Sequence, residues 1–449
     1  MPQATREDTR YSLTDAEAWE LAAKFGTPLY VLDENTLRAK IQRYRSAMLK
    51  AWPKTEITFA SKANSTLAVL KIAYDEGCLI DAASEGELRA AMLAGVPATQ
   101  CHLHGNNKSL DELKFAFEAG VGQIVVDNIA EIESISEIAN LVGHAPVPHL
   151  ILRLAPGVDP KTHHKISTGQ ADTKFGFNIA DGSAERALLR CVELGLPVKG
   201  FHCHVGSQLF DPEAQSVGGE ALAEFASEML RKHGFHAKEI NLGGGLGVRY
   251  TEDDPLPMPV EDYCDLVARS VGGGIENSGL EVRLTQEPGR SLVAEAGVTL
   301  YRVGVVKTVP AAQGLTRTYV VVDGGLSDNP RPALYGSRYT AQLIGSHKTQ
   351  SQGMSFLETE AVKVTIAGKH CESDTLFADV ILPHMPAEGD LIQIFCTGAY
   401  NSSMASNYNR YPRPATVLRD PTGHFRIVQR RDSWQEMFSR EILANGQDA

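Results

Sequence analysis

Short apolar runs alternate with amphipathic segments between about residue 55 and residue 290. The runs are rich in β-branched residues or end in polar residues and glycine, which is typical of buried strands that stop at a loop. The segments between them, such as SLDELKFAFEAG (109–120), repeat apolar residues at helical spacing and end in glycine, as helices prefer. The predicted strands are EITFASKAN, CLIDAAS, CHLHGN, QIVVDN, HLILRLAP, VKGFHCHVGS, EINLGGGL and VRLTQEPGR. Eight strand-then-helix units predict a (β/α)8 barrel, although a doubly wound parallel sheet would show the same periodicity.

The pattern changes after residue 290, where β-branched runs follow one another with turn residues between them. TYVVVDGG (318–325) and DLIQIFCTGAY (390–400) are examples, and they predict an all-β, sandwich-like or barrel-like domain. Residues 27–44 read as a strand followed by a helix, and we expect that strand to join the β domain. The predicted domains are therefore a barrel over 38–290 and a β domain made of 1–37 together with 291–449.

Composition narrows the class of protein. The 449 residues are 43% hydrophobic and carry a formal net charge of −12, which is ordinary for a globular chain and argues against nucleic acid as a main partner. Seven scattered cysteines without a CxxC pair do not form a disulfide framework or a zinc motif, so no metal is expected. The polar first ten residues and the lack of a long apolar run predict neither a signal peptide nor a membrane span, and we expect a cytoplasmic protein.

Polar side chains and glycines stand at the end of each predicted barrel strand, where the active sites of such barrels lie. They are Lys62, Asp81 with Ser84, Asn106, Asp127, Arg153, His204 with Ser207, Gly243-Gly244-Gly245, and Glu287 with Arg290.

If Glu56–Lys62 is a strand, Thr58, Ala60 and Lys62 share one of its faces. Ile57 and Phe59 would then face the surrounding helices, and Lys62 would point into the barrel. A lysine in that position must be neutralised, paired or covalently bonded, for example to a carbonyl cofactor. The alternative is a solvated lysine that starts the next helix.

FHCHVGSQ (201–208) places His202 and His204 on one strand face. The pair could bind a metal, fill the core, or stack on a flat ring, and no carboxylate cluster nearby favours the metal. Gly206 and Ser207 offer a backbone N–H and a hydroxyl to a phosphate.

NLGGGLG (241–247) and QEPGR (286–290) complete the set of strand ends. Three glycines let the backbone approach an anion closely, and a following helix would add its dipole, unless the segment is a plain turn. Glu287 could hold a protonated ring nitrogen and Arg290 a phosphate or carboxylate, unless both belong to a surface turn. Together these groups point to pyridoxal 5′-phosphate. The lysine would take its aldehyde, a histidine would stack on its ring, the glutamate would hold the ring nitrogen, and the remaining groups would bind its phosphate.

Ten motifs in fixed order resemble the fold-type III pyridoxal-phosphate decarboxylases, and among them the diaminopimelate decarboxylases, over about residues 25–420. They are FASKAN, IDAASEGEL, HGNNKS, HHKISTGQADTKFGF, FHCHVGSQ, NLGGGLG, EPGR, RPALY, CES and GAYNSSMASNYNRYPRP. The resemblance implies decarboxylation of meso-2,6-diaminopimelate to L-lysine and CO2, the last step of lysine biosynthesis, by a homodimer with shared active sites.

The resemblance also implies residue roles. Lys62 would carry the cofactor and Cys371 would donate a proton as the second catalytic residue. The implied cofactor-binding residues are Lys62, Asp81, His204, Ser207, Gly244, Gly245, Glu287, Gly289, Arg290 and Tyr400. The implied substrate-binding residues are Arg290, Arg331, Tyr335, Glu372 and Tyr400, with Cys371 and Glu372 reaching across from the partner subunit.

Two alternatives stay open. The first is a decarboxylase of another basic amino acid such as ornithine, D-lysine or carboxynorspermidine. The cation of Arg331 and the anion of Glu372 argue against it, because together they favour a substrate with a zwitterionic distal head. The second is a non-catalytic protein that binds the cofactor, against which the intact Lys62, Cys371 and Glu287 argue.

Overall fold

The structure, a computed structural model, describes residues 10–143, 146–157, 174–312, 315–345, 361–373, 375–444 and 446. The motif HHKISTGQADTKFGF lies mostly outside the described residues. The chain divides into two compact units, which are 38–248 with 255–292, and 1–37 with 249–254 and 293–449.

The strands, in chain order, are β1 Leu29–Asp33, β2 Thr55–Ala60, β3 Leu79–Ala82, β4 Cys101–Leu103, β5 Gln123–Val126, β6 His149–Ala155, β7 Phe177–Asn178, β8 Val198–His202, β9 Glu239–Asn241, β10 Arg283–Gln286, β11 Gly297–Pro310, β12 Thr316–Val322, β13 Ala341–Ile344, β14 Val362–Ala367, β15 Thr375–Leu382, β16 Leu391–Ile394, β17 Ala415–Arg419 and β18 Phe425–Gln429. The helices are α1 Asp15–Phe25, α2 Glu34–Ala51, α3 Leu67–Asp75, α4 Glu85–Leu93, α5 Leu110–Ala119, α6 Ile129–Val142, α7 Ser183–Glu193, α8 Glu213–His233, α9 Val260–Ile275, α10 Arg290–Val293, α11 Arg331–Tyr335 and α12 Trp434–Phe438.

A closed barrel of eight parallel strands forms the first unit. Its strand order is β5-β4-β3-β2-β10-β9-β8-β6, and pairing of β5 with β6 closes the ring, while the short β7 adds to the edge of β6. The fold class predicted from the alternating pattern is confirmed, and the doubly wound alternative is wrong because an open sheet has two edge strands. Both faces of the strands are buried, since one meets the helices and the other fills the barrel.

Local sequence sets the helix boundaries of the barrel. Ser109 caps α5 by accepting from the backbone N–H of Glu112, whose carboxylate accepts in return from the backbone N–H of Ser109. Gly120 ends the same helix in the left-handed conformation at φ 71°. Similar caps at Ser84 and Asn128 start α4 and α6, so that each helix begins close after the strand before it.

A mainly antiparallel sheet of nine strands forms the second unit, with the order β15-β14-β12-β11-β1-β17-β18 and with β16 pairing with both β11 and β13. The strand β1 lies antiparallel to β11 and parallel to β17, so the expectation that the early strand joins the β domain is confirmed. The first half of β11 is buried and its second half is largely exposed, because the strand leaves the core to continue as a ribbon with β12.

Candidate active site

Lys62 lies on a short 3-10 turn, Ser61–Ala63, that follows β2 directly. The strand ends at Ala60, two residues earlier than its predicted extent, because Ser61 turns away to donate a hydrogen bond to Glu87 Oε2 at 2.7 Å. The side chain of Lys62 is 47% exposed, and its Nζ lies 4.0 Å from Oδ2 of Asp81. The alternation of side chains along the strand therefore does not set the direction of Lys62, because Lys62 lies beyond the end of β2. Its amine nevertheless lies close to Asp81, a residue of β3.

Asp81 is the buried partner of that amine. Its side chain is 1% exposed, and neither carboxylate oxygen accepts a hydrogen bond from a described residue. His104 Nε2 is 3.5 Å from Oδ1. Burial raises the pKa of Asp81, and the positive fields of His104 and Lys62 oppose that rise. A carboxylate placed like this is matched to a cationic or hydrogen-bond-donating group in the barrel mouth.

Glu287 follows β10 and is surrounded by polar side chains from the ends of three other strands. His202 Nε2 lies 3.1 Å from Oε2, Asn241 donates to Oε1 at 2.7 Å, and His104 Nε2 is 3.1 Å from Oε1. Burial by itself would raise the pKa of Glu287, but His104 and His202 outweigh it and hold that pKa well below its usual range. Glu287 is therefore an anion at neutral pH and can keep a ring nitrogen protonated.

His104 and Asn241 were not predicted as site residues. The signal for His104 is a second HxH pair, His102 and His104, at the end of β4, which sequence reasoning passed over. The structure joins His104, and not His204, to His202 and Glu287, and the ligand atoms of these three lie within 4.8 Å of one another. Glu287 is thus the carboxylate beside His202 that the sequence pattern did not reveal. The side chains of His104, His202 and Glu287 are spaced closely enough to hold a metal ion.

His204 lies one residue after Cys203 at the carboxyl end of β8 and is half-buried. Burial lowers its pKa to about 3, with Lys62 contributing in the same direction, so the ring is neutral. Gly243 makes room for this ring, since a Cβ there would lie 2.8 Å from His204 Nδ1, and its φ of 63° also favours glycine. A neutral, flat imidazole held in this way is suited to stacking on another ring.

Glycines and two polar side chains form a concave loop cluster beside His204. A Cβ on Gly244 would lie 2.4 Å from the carbonyl oxygen of Glu287, and one on Gly289 would lie 3.1 Å from that of Ala60. Arg290 Nη2 donates to Ser207 Oγ at 3.3 Å. No helix directly follows the glycines in the described residues, where the next helix is α9. The cluster therefore offers backbone N–H groups, a hydroxyl and a guanidinium to an anion, without a helix dipole behind Gly245.

The remaining site residues that the resemblance implies belong to the second unit. Arg331 is 7% exposed, donates to Ser337 Oγ at 3.2 Å, and has the rings of Tyr250, Tyr335 and Tyr400 within 5.9 Å of its guanidinium carbon. Aromatic faces attract a cation, so the three tyrosine rings form an aromatic cage around this guanidinium. Tyr335 is itself largely exposed.

Cys371 and Glu372 lie in the loop between β14 and β15. Cys371 is exposed, and its backbone N–H donates to Asn409 Oδ1 at 3.2 Å. The hydroxyl of Tyr408 donates to the carboxylate of Glu372. These contacts place an accessible thiol and an oriented carboxylate next to each other on the surface of the second unit.

Comparison with known proteins identifies the family. Residues 38–294 match the family model described as the pyridoxal binding domain of pyridoxal-dependent decarboxylases. A diaminopimelate decarboxylase from Bacillus subtilis is 41% identical over 432 residues, which is 95% of this chain and 94% of that protein. The chain belongs to the diaminopimelate decarboxylase family. It is an enzyme of the carboxy-lyase class that uses pyridoxal phosphate.

Solved structures agree with this family assignment. The diaminopimelate decarboxylase from M. jannaschii in complex with L-lysine is 33% identical, has a TM-score of 0.87, and covers 98% of this chain and 97% of its own. The enzyme from Helicobacter pylori with L-lysine is 29% identical with a TM-score of 0.79, and the alignment covers 94% of this chain and 98% of its own. In the described part of this chain no helix is long and apolar enough to cross a membrane.

The barrel residues fit pyridoxal phosphate on two observations. Among the described residues no hydrogen-bond donor reaches the carboxylate of Asp81, which lies 4.0 Å from the amine of Lys62, and the loops carry glycine where a Cβ would clash with neighbouring backbone. Glu287, held as an anion by its donors, supplies the charge that a protonated pyridine nitrogen requires.

Proposed function

We propose that this protein removes CO2 from meso-2,6-diaminopimelate to give L-lysine. The observation that carries the proposal is the anionic Glu287 in the same barrel mouth as Lys62, which is what a pyridoxal-phosphate enzyme needs. The choice of substrate rests on relatives that cover almost the whole chain and are named diaminopimelate decarboxylases.

The barrel, which we take to span 38–290, is proposed to hold the cofactor. Lys62 would bond to its aldehyde carbon, His204 would stack on its ring face, and Asp81 would stay close to the amine. Glu287 would hold the ring nitrogen. Once bound, the cofactor supplies an electron-withdrawing ring that accepts the electron pair left when the carboxyl group departs. The remaining proposed cofactor contacts, mainly to the phosphate, are Ser207, Gly244, Gly245, Gly289, Arg290 and Tyr400.

The β domain, which we take as 1–37 with 291–449, is proposed to supply the substrate contacts. The caged guanidinium of Arg331 suits the distal carboxylate, and the Glu372 carboxylate suits the distal ammonium. Arg290, Tyr335 and Tyr400 would complete the grip on the substrate. The exposed thiol of Cys371 would protonate the α-carbon after CO2 leaves, which is a general-acid step.

We further propose a cytoplasmic homodimer in which Cys371 and Glu372 serve the site of the partner copy. The exposure of Cys371 supports this, because a proton donor that works in its own chain's interior would be expected to be buried. Mixing a Lys62→Ala chain with a Cys371→Ala chain tests the sharing. Activity well above that of either variant alone is expected, since a mixed dimer regains one complete site.

One assay tests the reaction itself. Purified protein supplied with pyridoxal phosphate is given meso-diaminopimelate, ornithine or D-lysine in parallel, and CO2 release is measured for the wild type, Lys62→Ala and Lys71→Ala. Lys71 is a half-exposed lysine on α3 and serves as the matched control. Release from diaminopimelate is expected to be lost only in Lys62→Ala. CO2 release from ornithine or D-lysine but not from diaminopimelate would show that the enzyme decarboxylates another basic amino acid. Activity that survives in Lys62→Ala would contradict the proposed role of that residue.

A further inference from the structure

The barrel has a cavity at the end where its strands begin, opposite the end that carries Lys62. Its volume is about 360 Å³, within the range of roughly 300–1,000 Å³ that small-molecule pockets occupy. Side chains from the first or second residue of seven strands line it, together with the loops that lead into them. They include Glu56, His102, His149, Lys199 and Arg283. None of these residues belongs to the cofactor site described above.

The charges in this cavity are not balanced. Arg283 Nη1 donates to Glu56 Oε2 at 2.9 Å, so these two lining charges neutralise each other. The ammonium of Lys199 has no hydrogen-bond or ion-pair partner within the described ranges of the chain. The nearby carboxylate of Glu239 is buried, accepts from Gln123 and Thr285, and does not line the cavity. Lys199 is therefore the lining charge without a direct partner in the described chain, although it also interacts with Glu239, where its field opposes the rise in pKa that burial causes.

The floor of the cavity carries a second unexplained group. His102 is 4% exposed, and its Nδ1 has no hydrogen-bond partner in the described chain. Burial lowers the pKa of His102 to about 3, so its neutral ring offers one donor and one acceptor. Buried polar groups in native proteins are almost always satisfied, so an unsatisfied group in a cavity wall is paired by what fills the cavity, which is water or a ligand. Leu79, Val121 and the stretch Pro146–Pro148 supply apolar wall next to it.

We propose that this cavity binds a small organic molecule with a single carboxylate group. The carboxylate pairs with Lys199, the polar floor at His102 and Gln123 hydrogen-bonds the body of the molecule, and the apolar wall covers the rest. A molecule with two or more negative charges fits less well, because the charge of Arg283 is already matched by Glu56. The site lies at the opposite end of the barrel from Lys62, so its occupancy does not depend on the decarboxylation proposed above.

Calorimetric titration of the purified holoenzyme with benzoate, with benzyl alcohol and with inorganic phosphate tests this site. Benzoate is expected to bind, and benzyl alcohol to bind much more weakly because it lacks the charge. Lys199→Ala is expected to weaken benzoate binding at least about tenfold, since a charge-assisted hydrogen bond is lost. Lys238→Ala is the matched control. Lys238 is exposed, directly precedes the neighbouring strand β9, and donates its backbone N–H to the carbonyl of Lys199. It is therefore a lysine close to Lys199 that does not line the cavity.

A second readout locates the bound molecule. Histidine resonances followed by NMR during the titration are expected to shift for His102 and His149, both of which line the cavity, in the wild type and not in Lys199→Ala. Benzoate binding that is equal in the wild type and Lys199→Ala would overturn the proposal. So would the absence of benzoate binding, or binding of phosphate in preference to benzoate. None of these results depends on whether the enzyme decarboxylates diaminopimelate.

Discussion

At the scale of single residues, the carboxylate of Glu287 is surrounded by polar side chains from the ends of three other barrel strands. Lys62 and Glu287 stood out because a charged side chain at the end of a buried strand needs a reason. His104 and Asn241 did not stand out, because histidine and asparagine at strand ends have many ordinary roles. Only the closed barrel brings the ends of β4, β8, β9 and β10 around one carboxylate.

The Glu287 carboxylate gives the first prediction at this scale. Glu287→Gln keeps the shape but removes the negative charge that holds a ring nitrogen protonated. We expect kcat to fall by about 10²–10³, the typical cost of removing one preorganised electrostatic contact in an active site. Steady-state CO2 release measures this. Glu281→Gln, which removes an exposed carboxylate paired with Lys54, should leave kcat unchanged. A fully active Glu287→Gln enzyme would mean that the ring nitrogen is held elsewhere.

At the scale of elements, the apolar runs predicted all eight barrel strands, because each run is buried on both faces and stops at a polar or glycine residue. Two local features were not predictable. The turn at Ser61 depends on Glu87, a residue of α4, which follows the next strand, and no local pattern reveals that contact. The sequence left open whether a helix follows the three glycines, and in the described residues the segment continues as a loop up to α9.

The glycine loop after β9 gives the second prediction. Gly244→Ala places a Cβ 2.4 Å from the backbone oxygen of Glu287, and neither backbone can yield without moving the other. We expect a stability loss of about 1–3 kcal/mol, as for other overpacked sites, and weaker binding of pyridoxal phosphate. Thermal unfolding and cofactor titration measure the two effects.

Gly273→Ala is the control for that change. Gly273 lies inside α9, and a Cβ there meets no atom within 4 Å. Alanine in a helix interior is favoured over glycine by roughly 0.5–1 kcal/mol, so this variant should keep its activity and be equally or more stable. If Gly244→Ala behaved like Gly273→Ala, the close approach of the loop to Glu287 would not matter for the site.

At the scale of the whole molecule, periodicity predicted a barrel and a β domain but not the pairing inside the latter. The nine strands of that sheet mix parallel and antiparallel neighbours, and β1 joins strands that lie hundreds of residues later in the chain. Such pairings depend on long-range packing, for which a single sequence carries little local signal. One buried acid in that sheet unit, Asp328, couples the stability of the unit to pH.

Asp328 is 2% exposed, and its carboxylate accepts from Tyr301 and from the backbone N–H of Gly325. Burial raises its pKa from 3.8 to about 7. A carboxyl group whose pKa is higher in the folded protein binds its proton more tightly there. Its contribution to stability is therefore complete below about pH 4 and is lost as the pH rises through about 7. Asp328→Asn is neutral at every pH and should lack this loss.

The third prediction compares Asp328→Asn with the wild type by urea unfolding at about pH 5 and about pH 8. Relative to the wild type, the variant should gain roughly 2–3 kcal/mol between the two, since each pKa unit is worth about 1.4 kcal/mol. If the two units unfold in separate transitions, only that of the β unit should move. Asp253→Asn, which removes an exposed carboxylate of the same unit, should differ little from the wild type at either pH. A difference between Asp328→Asn and the wild type that does not change with pH would show that Asp328 stays ionised in the folded protein, with its burial offset by the hydroxyl of Tyr301 and the N–H of Gly325.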